Sequence, residues 1–379
     1  MKLVQIPFRI LRYRLARAGL CSPGSPLVLT FSITNRCNSR CKTCNIWKIP
    51  AEESEELSLD EIELIFKSMD KLYFLNISGG EPFLRKDLVE IVRLAKRYLS
   101  PNIIHIPSNG LAVDLIERQV KEILEVLSDG KTTLTVKLSL DGVGERHDEI
   151  RGVRGNFARA IETYKRLGRL REKYPNFHLG INTIISKFNV DHLDEIVEYV
   201  RRLKPDSFVT EIAENRSELF NLQDDITPDP EVYEMLIRKF MARVRDDLRH
   251  KRSISKLTDA SRLVYYEYVI KILKEKRQVL PCYAGMSNVH INPYGDVWPC
   301  CVLGYEKSMG NLRDFNYDFK KLWNSEQANA VRAFIRSGKC YCPLANQAYF
   351  NMICSLSASF KIIKTMISTY LASLTSLKT

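Results

Sequence analysis

The sequence predicts an α/β protein: a partial (β/α)6, TIM-like barrel followed by a small C-terminal cysteine-rich domain. Three observations carry that expectation. Apolar strand-like runs alternate with amphipathic helix-like runs from residue 27 to about residue 213. Loops rich in Cys, Gly, Ser, Asn and Asp follow successive strand-like runs. The pattern then changes, and cysteines return between Pro281 and Cys354. Strands alternating with helices of this length mean repeated βα units and a parallel sheet. Six units suggest an open barrel rather than a closed eight-stranded one.

In chain order, the first strand is residues 27–33. The amphipathic stretch 58–69 follows, with Ser58 as N-cap and Glu61 completing a capping box. Strand 72–77 precedes helix 84–98, strand 103–106 precedes helix 113–127, and strand 133–140 precedes helix 157–173. Strands 178–185 and 207–212 flank helix 193–203. Residues 214–280 are charged and helical by period, with helices at 230–248 and 258–276. Residues 288–298 read as two short strands around Asn292-Pro293-Tyr294-Gly295-Asp296, a turn by its residues. The expected organisation is a basic amphipathic segment (1–26), the barrel (27–213), a helical bridge (214–280), the cysteine-rich domain (281–354) and an amphipathic tail (355–379).

Composition narrows the class. At 379 residues the chain can bury a full core. The hydrophobic fraction is 45%, with no apolar run of bilayer-spanning length and no signal-peptide pattern. Ten cysteines without a secretory signal argue for metal binding in a reducing cytosol rather than a disulfide framework. The formal charge of +12 favours an anionic partner without choosing among nucleic acid, membrane surface and phosphorylated substrate.

The densest signal is Cys37-Asn38-Ser39-Arg40-Cys41-Lys42-Thr43-Cys44, directly after the first strand. A structural zinc or cubane site is closed by four protein ligands. Three thiolates at CxxxCxxC spacing can hold three irons of a [4Fe–4S] cube and leave the fourth open to a ligand. Ser78-Gly79-Gly80-Glu81-Pro82 follows strand two, Ser108-Asn109-Gly110 follows strand three, and Ser139-Leu140-Asp141-Gly142 ends strand four. In a parallel βα barrel these loops share one rim, where chemistry sits.

The CxxxCxxC loop paired with the GGEP loop resembles the radical S-adenosylmethionine (SAM) superfamily. The resemblance implies that Cys37, Cys41 and Cys44 hold a [4Fe–4S] cluster whose open iron SAM chelates. Reductive cleavage of SAM would then give a 5′-deoxyadenosyl radical that abstracts a substrate hydrogen. A zinc knuckle is the plainer alternative. Thr43 departs from the aromatic the family often places before its third cysteine, and Trp47 is the expected replacement on the adenine side. Gly79 and Gly80 would let backbone approach the methionine end of SAM, and Glu81 would meet its ammonium, with Ser78 beside them. Ser108, Asn109, Ser139 and Asp141 are candidates near SAM, with ordinary turn chemistry as the alternative. His147-Asp148-Glu149-Ile150-Arg151-Gly152 also resembles a family stretch. Arg151 would meet the SAM carboxylate or, equally, fix a loop by pairing with an aspartate.

The second cysteine group resembles the SPASM or twitch extension of these enzymes, which binds an auxiliary [4Fe–4S] cluster. Cys282 and Cys300 are the leading ligands, Cys340 and Cys342 the third and fourth. The chain has Cys340-Tyr341-Cys342 where the family usually closes with CxxC, so Cys354 is an alternative. A zinc site from the same thiolates is the competing reading. Cys21 and Cys301 have no evident partner.

Both ends are basic and amphipathic. Residues 3–20 carry Phe8, Leu11 and Leu15 on one side and Arg9, Arg12, Arg14 and Arg17 around the other. The tail carries Phe360, Ile363, Ile367, Tyr370, Leu371 and Leu374 at helical spacing, beside Lys361 and Lys364. Such helices read as membrane-surface elements or as helices docked on the barrel. The functional expectation is therefore a radical SAM enzyme acting on a lipid or membrane-associated substrate, in the cytoplasm or on the inner face of the membrane. A ferredoxin or flavodoxin would donate electrons. A peptide-modifying maturase is the first alternative. An RNA-modifying or nucleic-acid-binding iron–sulfur protein ranks third, since no nucleic-acid module is recognisable.

Overall fold

The computed structural model describes residues 5–250 and 254–375. Six parallel strands, β1 (Val28–Ser32), β2 (Phe74–Ser78), β3 (Ile103–Ser108), β4 (Thr133–Ser139), β5 (Phe177–Ile185) and β6 (Ser207–Ile212), lie side by side in chain order. Helices α2 (Leu59–Ser68), α3 (Leu88–Tyr98), α4 (Val113–Val126), α6 (Asn156–Lys173) and α7 (Leu193–Leu203) connect them. This is the partial barrel the alternation predicts. The capping box forms: Ser58 Oγ accepts the Glu61 N–H, and Glu61 Oε2 accepts the Ser58 N–H at 2.7 Å. The short helix α5 (Glu145–Arg151) lies in a stretch read only as a motif, and it ends on a left-handed Gly152.

Helix α3 begins later than its pattern predicts. Pro82–Leu84 forms a 3-10 turn, and Arg85 then runs extended. The buried Arg85 guanidinium donates to Ile33 O and Leu57 O, both at 2.6 Å, and pairs with Asp87. These ties hold the chain out of the helix for a few residues.

Alternation along the strands sorts the two faces of the sheet. Leu29, Phe31, Leu75, Ile77, Ile104, Ile106, Leu134 and Val136 pack with Ile62, Phe66, Ile91 and Val120 of the surrounding helices. The register places His290, Thr30, Asn76, His105 and Thr135 in one row on the opposite, concave face. That face is therefore polar.

The C-terminal strands do not form a separate sheet. Strand β7 (Asn288–Ile291) pairs parallel with β1, and β8 (Asp296–Trp298) and β9 (Gly310–Asn311) add antiparallel, making nine strands in the order β6-β5-β4-β3-β2-β1-β7-β8-β9. The free edge of β1 is thus covered, which a buried strand needs. Helices α8 (Pro230–His250), α9 (Ile254–Glu275), α12 (Ala345–Cys354) and α13 (Leu356–Thr375) enclose a second core around Tyr233, Phe240, Tyr265 and Tyr266. Helices α10 (Phe319–Trp323) and α11 (Glu326–Arg336) pack beside β8 and β9.

Helix α1 (Ile6–Arg17) is docked, but with its faces reversed relative to an ordinary surface helix. Tyr13 and Ala16 are buried, while Phe8 is 73% and Leu11 54% exposed. Its arginines reach carbonyls of the chain itself: Arg9 donates to Pro26 O, the exposed Arg12 to Ser22 O, Arg14 to Cys354 O and Arg17 to Cys282 O. In α13, Ala358 and Ile362 are buried, whereas Phe360, Ile363 and Ile367 are exposed and Lys361 pairs with Glu267. Leu3, and the side chains of Tyr370, Leu371 and Leu374, lie outside the described residues. Among the described residues no helix is long and apolar enough to cross a membrane.

Candidate functional site

The cysteine loop leaves β1 and is clamped from three sides. Gly80 N–H donates to Thr34 O and Glu81 N–H to Arg36 O, both at 2.8 Å. A Cβ on Gly79 (φ +133°) would meet Thr34 O at 2.2 Å, and one on Gly80 would meet Arg36 O at 2.4 Å. The bare sides of these glycines let the cysteine loop approach. From α5, Arg151 O accepts the N–H of Arg40 at 2.9 Å and the Ser39 hydroxyl at 3.2 Å. From the loop after β6, Asn221 Nδ2 donates to Thr43 O, and Asn45 donates to Leu219 O, Phe220 O and Asp224. Residues 215–224 were not foreseen as part of the site; their Asn-rich stretch was the available signal.

Around the thiols, Asn109 Nδ2 donates to Asn38 Oδ1 at 2.7 Å and lies 3.9 Å from Cys37 Sγ. Arg151 Nη1 lies 3.6 Å from Cys41 Sγ, and its Nε is buried without a partner. Burial pushes the Cys37 and Cys44 thiols up to about 12. Metal loading would therefore release protons, as thiolate ligation requires. Trp47 donates its indole N–H to Cys44 O at 2.9 Å, so it braces the loop.

Glu81 is fully buried, with Oε2 accepting the Asn109 N–H at 2.7 Å and Oε1 the Phe83 N–H at 3.3 Å. Burial raises its carboxyl to about 7. Ser108 Oγ accepts the Gly110 N–H. Ser78 and Ser139 end β2 and β4 half-buried on the concave side. Asp141, expected beside SAM, has both carboxylate oxygens engaged: Oδ1 accepts the Ile184 N–H at 2.8 Å and Oδ2 meets Arg151 at 2.7 Å. The Arg–Asp pair named as one alternative for Arg151 is thus present. His147 Nδ1 accepts the Asp141 N–H, so Nε2 donates to Asn156 Oδ1 at 2.6 Å. Burial lowers His147 to about 4, leaving it a neutral brace.

The second group converges without Cys354. Cys282, Cys300, Cys340 and Cys342 line one cavity with Leu280, Leu303 and Ile335. Burial raises Cys282 to about 11 and Cys300 to about 12. Cys354 is buried instead with Tyr13, Tyr283 and Met286. Cys21 is exposed. Cys301 faces away from the cavity, toward Glu218 and His290.

Spacing bears on which metal group these thiols fit. A tetrahedral zinc with Zn–S bonds of 2.3 Å sets its sulfurs about 3.8 Å apart. Among the described residues, only Glu218, His290 and Cys301 have ligand atoms all within 4.8 Å of one another. In neither cysteine set do three sulfurs all lie within 4.8 Å of one another, a spacing that suits ligands at the corners of a multi-iron cube. The unpartnered Arg151 Nε and the four-thiol cavity fit the same groups.

Comparisons with known proteins agree with the geometry. The family model for the radical SAM superfamily matches residues 31–200, and that for SPASM, an iron–sulfur cluster-binding domain, matches residues 282–343. The antilisterial bacteriocin subtilosin biosynthesis protein AlbA of Bacillus subtilis (strain 168) is 27% identical over 91% of this chain and 71% of its own length. The PqqA peptide cyclase of Bradyrhizobium diazoefficiens is 26% identical over 82% of this chain and 76% of its own. In fold, the chain resembles the crystal structure of Streptococcus suis SuiB bound to the precursor peptide SuiA. The TM-score is 0.61 at 18% identity, covering 91% of this chain and 76% of that one.

Proposed function

The chain belongs to the radical SAM superfamily and carries its SPASM extension, and from that premise we propose that it modifies a peptide. It is an enzyme whose cofactors are SAM, a SAM-binding [4Fe–4S] cluster and an auxiliary [4Fe–4S] cluster. When bound, the SAM-binding cluster and SAM supply hydrogen-atom abstraction from an unactivated carbon. Cys37, Cys41 and Cys44 would hold that cluster. The Asn38–Asn109 pair and Arg151 sit where they would orient it, and Gly79 and Gly80 fix the loop that presents it. Ser78, Ser108, Ser139 and Glu81 would line the SAM site, with Asp141 holding Arg151 in place. Cys282, Cys300, Cys340 and Cys342 would hold the auxiliary cluster.

One observation carries the peptide reading: two relatives named for bacteriocin biosynthesis and for peptide cyclisation match over most of this chain. The polar concave face supports it. Thr30, Asn76 and His105 offer donors and acceptors that backbone amides can meet and an acyl chain cannot. The lipid reading rested on basic amphipathic ends, and the arginines of α1 are engaged by carbonyls of the chain itself. The test supplies reconstituted, reduced enzyme and SAM with either a deuterated peptide pool or deuterated phospholipid vesicles. Deuterium should enter 5′-deoxyadenosine from the peptides; transfer from the vesicles alone would restore the lipid reading.

A further inference from the structure

We propose that Glu218, His290 and Cys301 form a third metal site, for a single divalent ion of zinc-like character, separate from both cysteine groups. Their ligand atoms, a carboxylate oxygen, an imidazole nitrogen and a thiol sulfur, all lie within 4.8 Å of one another. His290 Nε2 stands 3.4 Å from Glu218 Oε1, close to the edge of a coordination tetrahedron, about 3.3–3.5 Å for bonds of 2.0–2.3 Å. Nitrogen, oxygen and sulfur donors together suit a borderline ion such as Zn2+ rather than Mg2+ or Ca2+.

The backbone builds this arrangement. His290 sits on β7 facing the concave side, and Cys301 follows β8. Glu218 belongs to the turn Ser217–Leu219 after β6. Two ladder-like bonds lock that turn to the cysteine segment: Ser217 N–H to Val302 O and Glu218 N–H to Cys301 O, both at 3.3 Å. Ser32 Oγ on β1 lies 2.8 Å from His290 Nε2 and donates to Glu218 Oε1 at 3.2 Å, so in the metal-free chain it occupies the ligand atoms that an ion would take over.

Charge agrees with a dication. Glu218 and Cys301, once ligating, contribute two negative charges. Arg216 nearby is already matched by Glu214 at 3.0 Å. A divalent ion brings the group to neutrality, which a buried site requires. Three protein ligands leave a fourth position toward the cavity lined by Thr30, Asn76 and Ser78, the open arrangement of reactive rather than structural zinc.

The test uses the full chain, reconstituted anaerobically with iron and sulfide, desalted and dialysed against Zn2+ alone. One zinc per chain should remain with the iron content unchanged. The zinc-edge X-ray absorption spectrum should show one sulfur with nitrogen and oxygen neighbours. H290A and C301S should each weaken zinc binding at least tenfold while retaining iron. If either variant fails to fold, E218Q and the absorption spectrum of the unaltered protein decide. No retained zinc, a four-sulfur shell, zinc gained only as iron is lost, or equal binding by the variants would each overturn the assignment.

Discussion

The Glu81 carboxylate accepts the backbone N–H of Asn109 at 2.7 Å, joining the loop after β2 to the loop after β3. Its other oxygen accepts the Phe83 N–H. One buried acid thus sets the relative height of the two loops that flank the cysteine thiols, and Asn109 carries that setting on to Asn38.

Glu81→Gln offers one acceptor where two are needed, and an amide N–H would face a backbone N–H. A cost of about 1–3 kcal/mol follows from the unpaired buried donor. The pH dependence is also defined. Burial holds the folded carboxyl near 7, above its unfolded value, so between about pH 4.5 and 7 the folded state binds more protons than the unfolded one. Stability contributed by this group falls as pH rises through that window. Urea denaturation of metal-free protein at pH 5 and pH 8 should show the gap between wild type and Glu81→Gln narrowing at the higher pH.

Gly79→Ala places a methyl 2.2 Å from Thr34 O at a φ of +133°. The cysteine loop must move, while the four-thiol cavity is untouched. Reconstituted Gly79→Ala should hold about half the wild-type iron, that of the second cubane. Wild-type iron content would show that the clamp does not position the thiols.

Cys342→Ala and Cys354→Ala separate the two candidates for the fourth thiol. Cys342 lines the cavity and Cys354 does not. Iron analysis should show cluster loss in Cys342→Ala only. Cys354→Ala should keep its iron and lose about 1 kcal/mol of stability from a small packing defect.

Arg14→Ala combined with Arg17→Ala removes the bonds from α1 to Cys354 O and Cys282 O. Charged donors to carbonyls are worth about 1.5–3 kcal/mol each when buried, less where water competes. Limited proteolysis should cut near residue 20 at least several-fold faster than in wild type, because α1 loses its hold.

What the sequence disclosed was local. CxxxCxxC spacing, the Gly79-Gly80-Glu81-Pro82 loop and the Ser58–Glu61 cap are written within a few residues, and period alone found β1 to β6. What it hid was distant. Nothing near Val28 announces that its partner is Asn288, and Ser32, Glu218 and His290 meet across more than 180 residues. Helix α1 shows the limit of periodicity: the pattern revealed an apolar and an arginine side, but an arginine can spend its five donors on carbonyls, so the pattern did not say which side turns inward. Several chemistry-bearing residues also brace the loops they stand on. Asp141 is the plainest case, because a turn aspartate looks the same from sequence whether it faces a guest or a neighbouring strand.

The ladder between β1 and β7 has a mechanical consequence. The two cysteine-bearing regions hang from adjacent members of one girder, so they cannot swing apart as hinged lobes without shearing a row of main-chain bonds. Electron traffic between them would run over a fixed span. Admission of a bulky guest therefore cannot rely on a clamshell stroke.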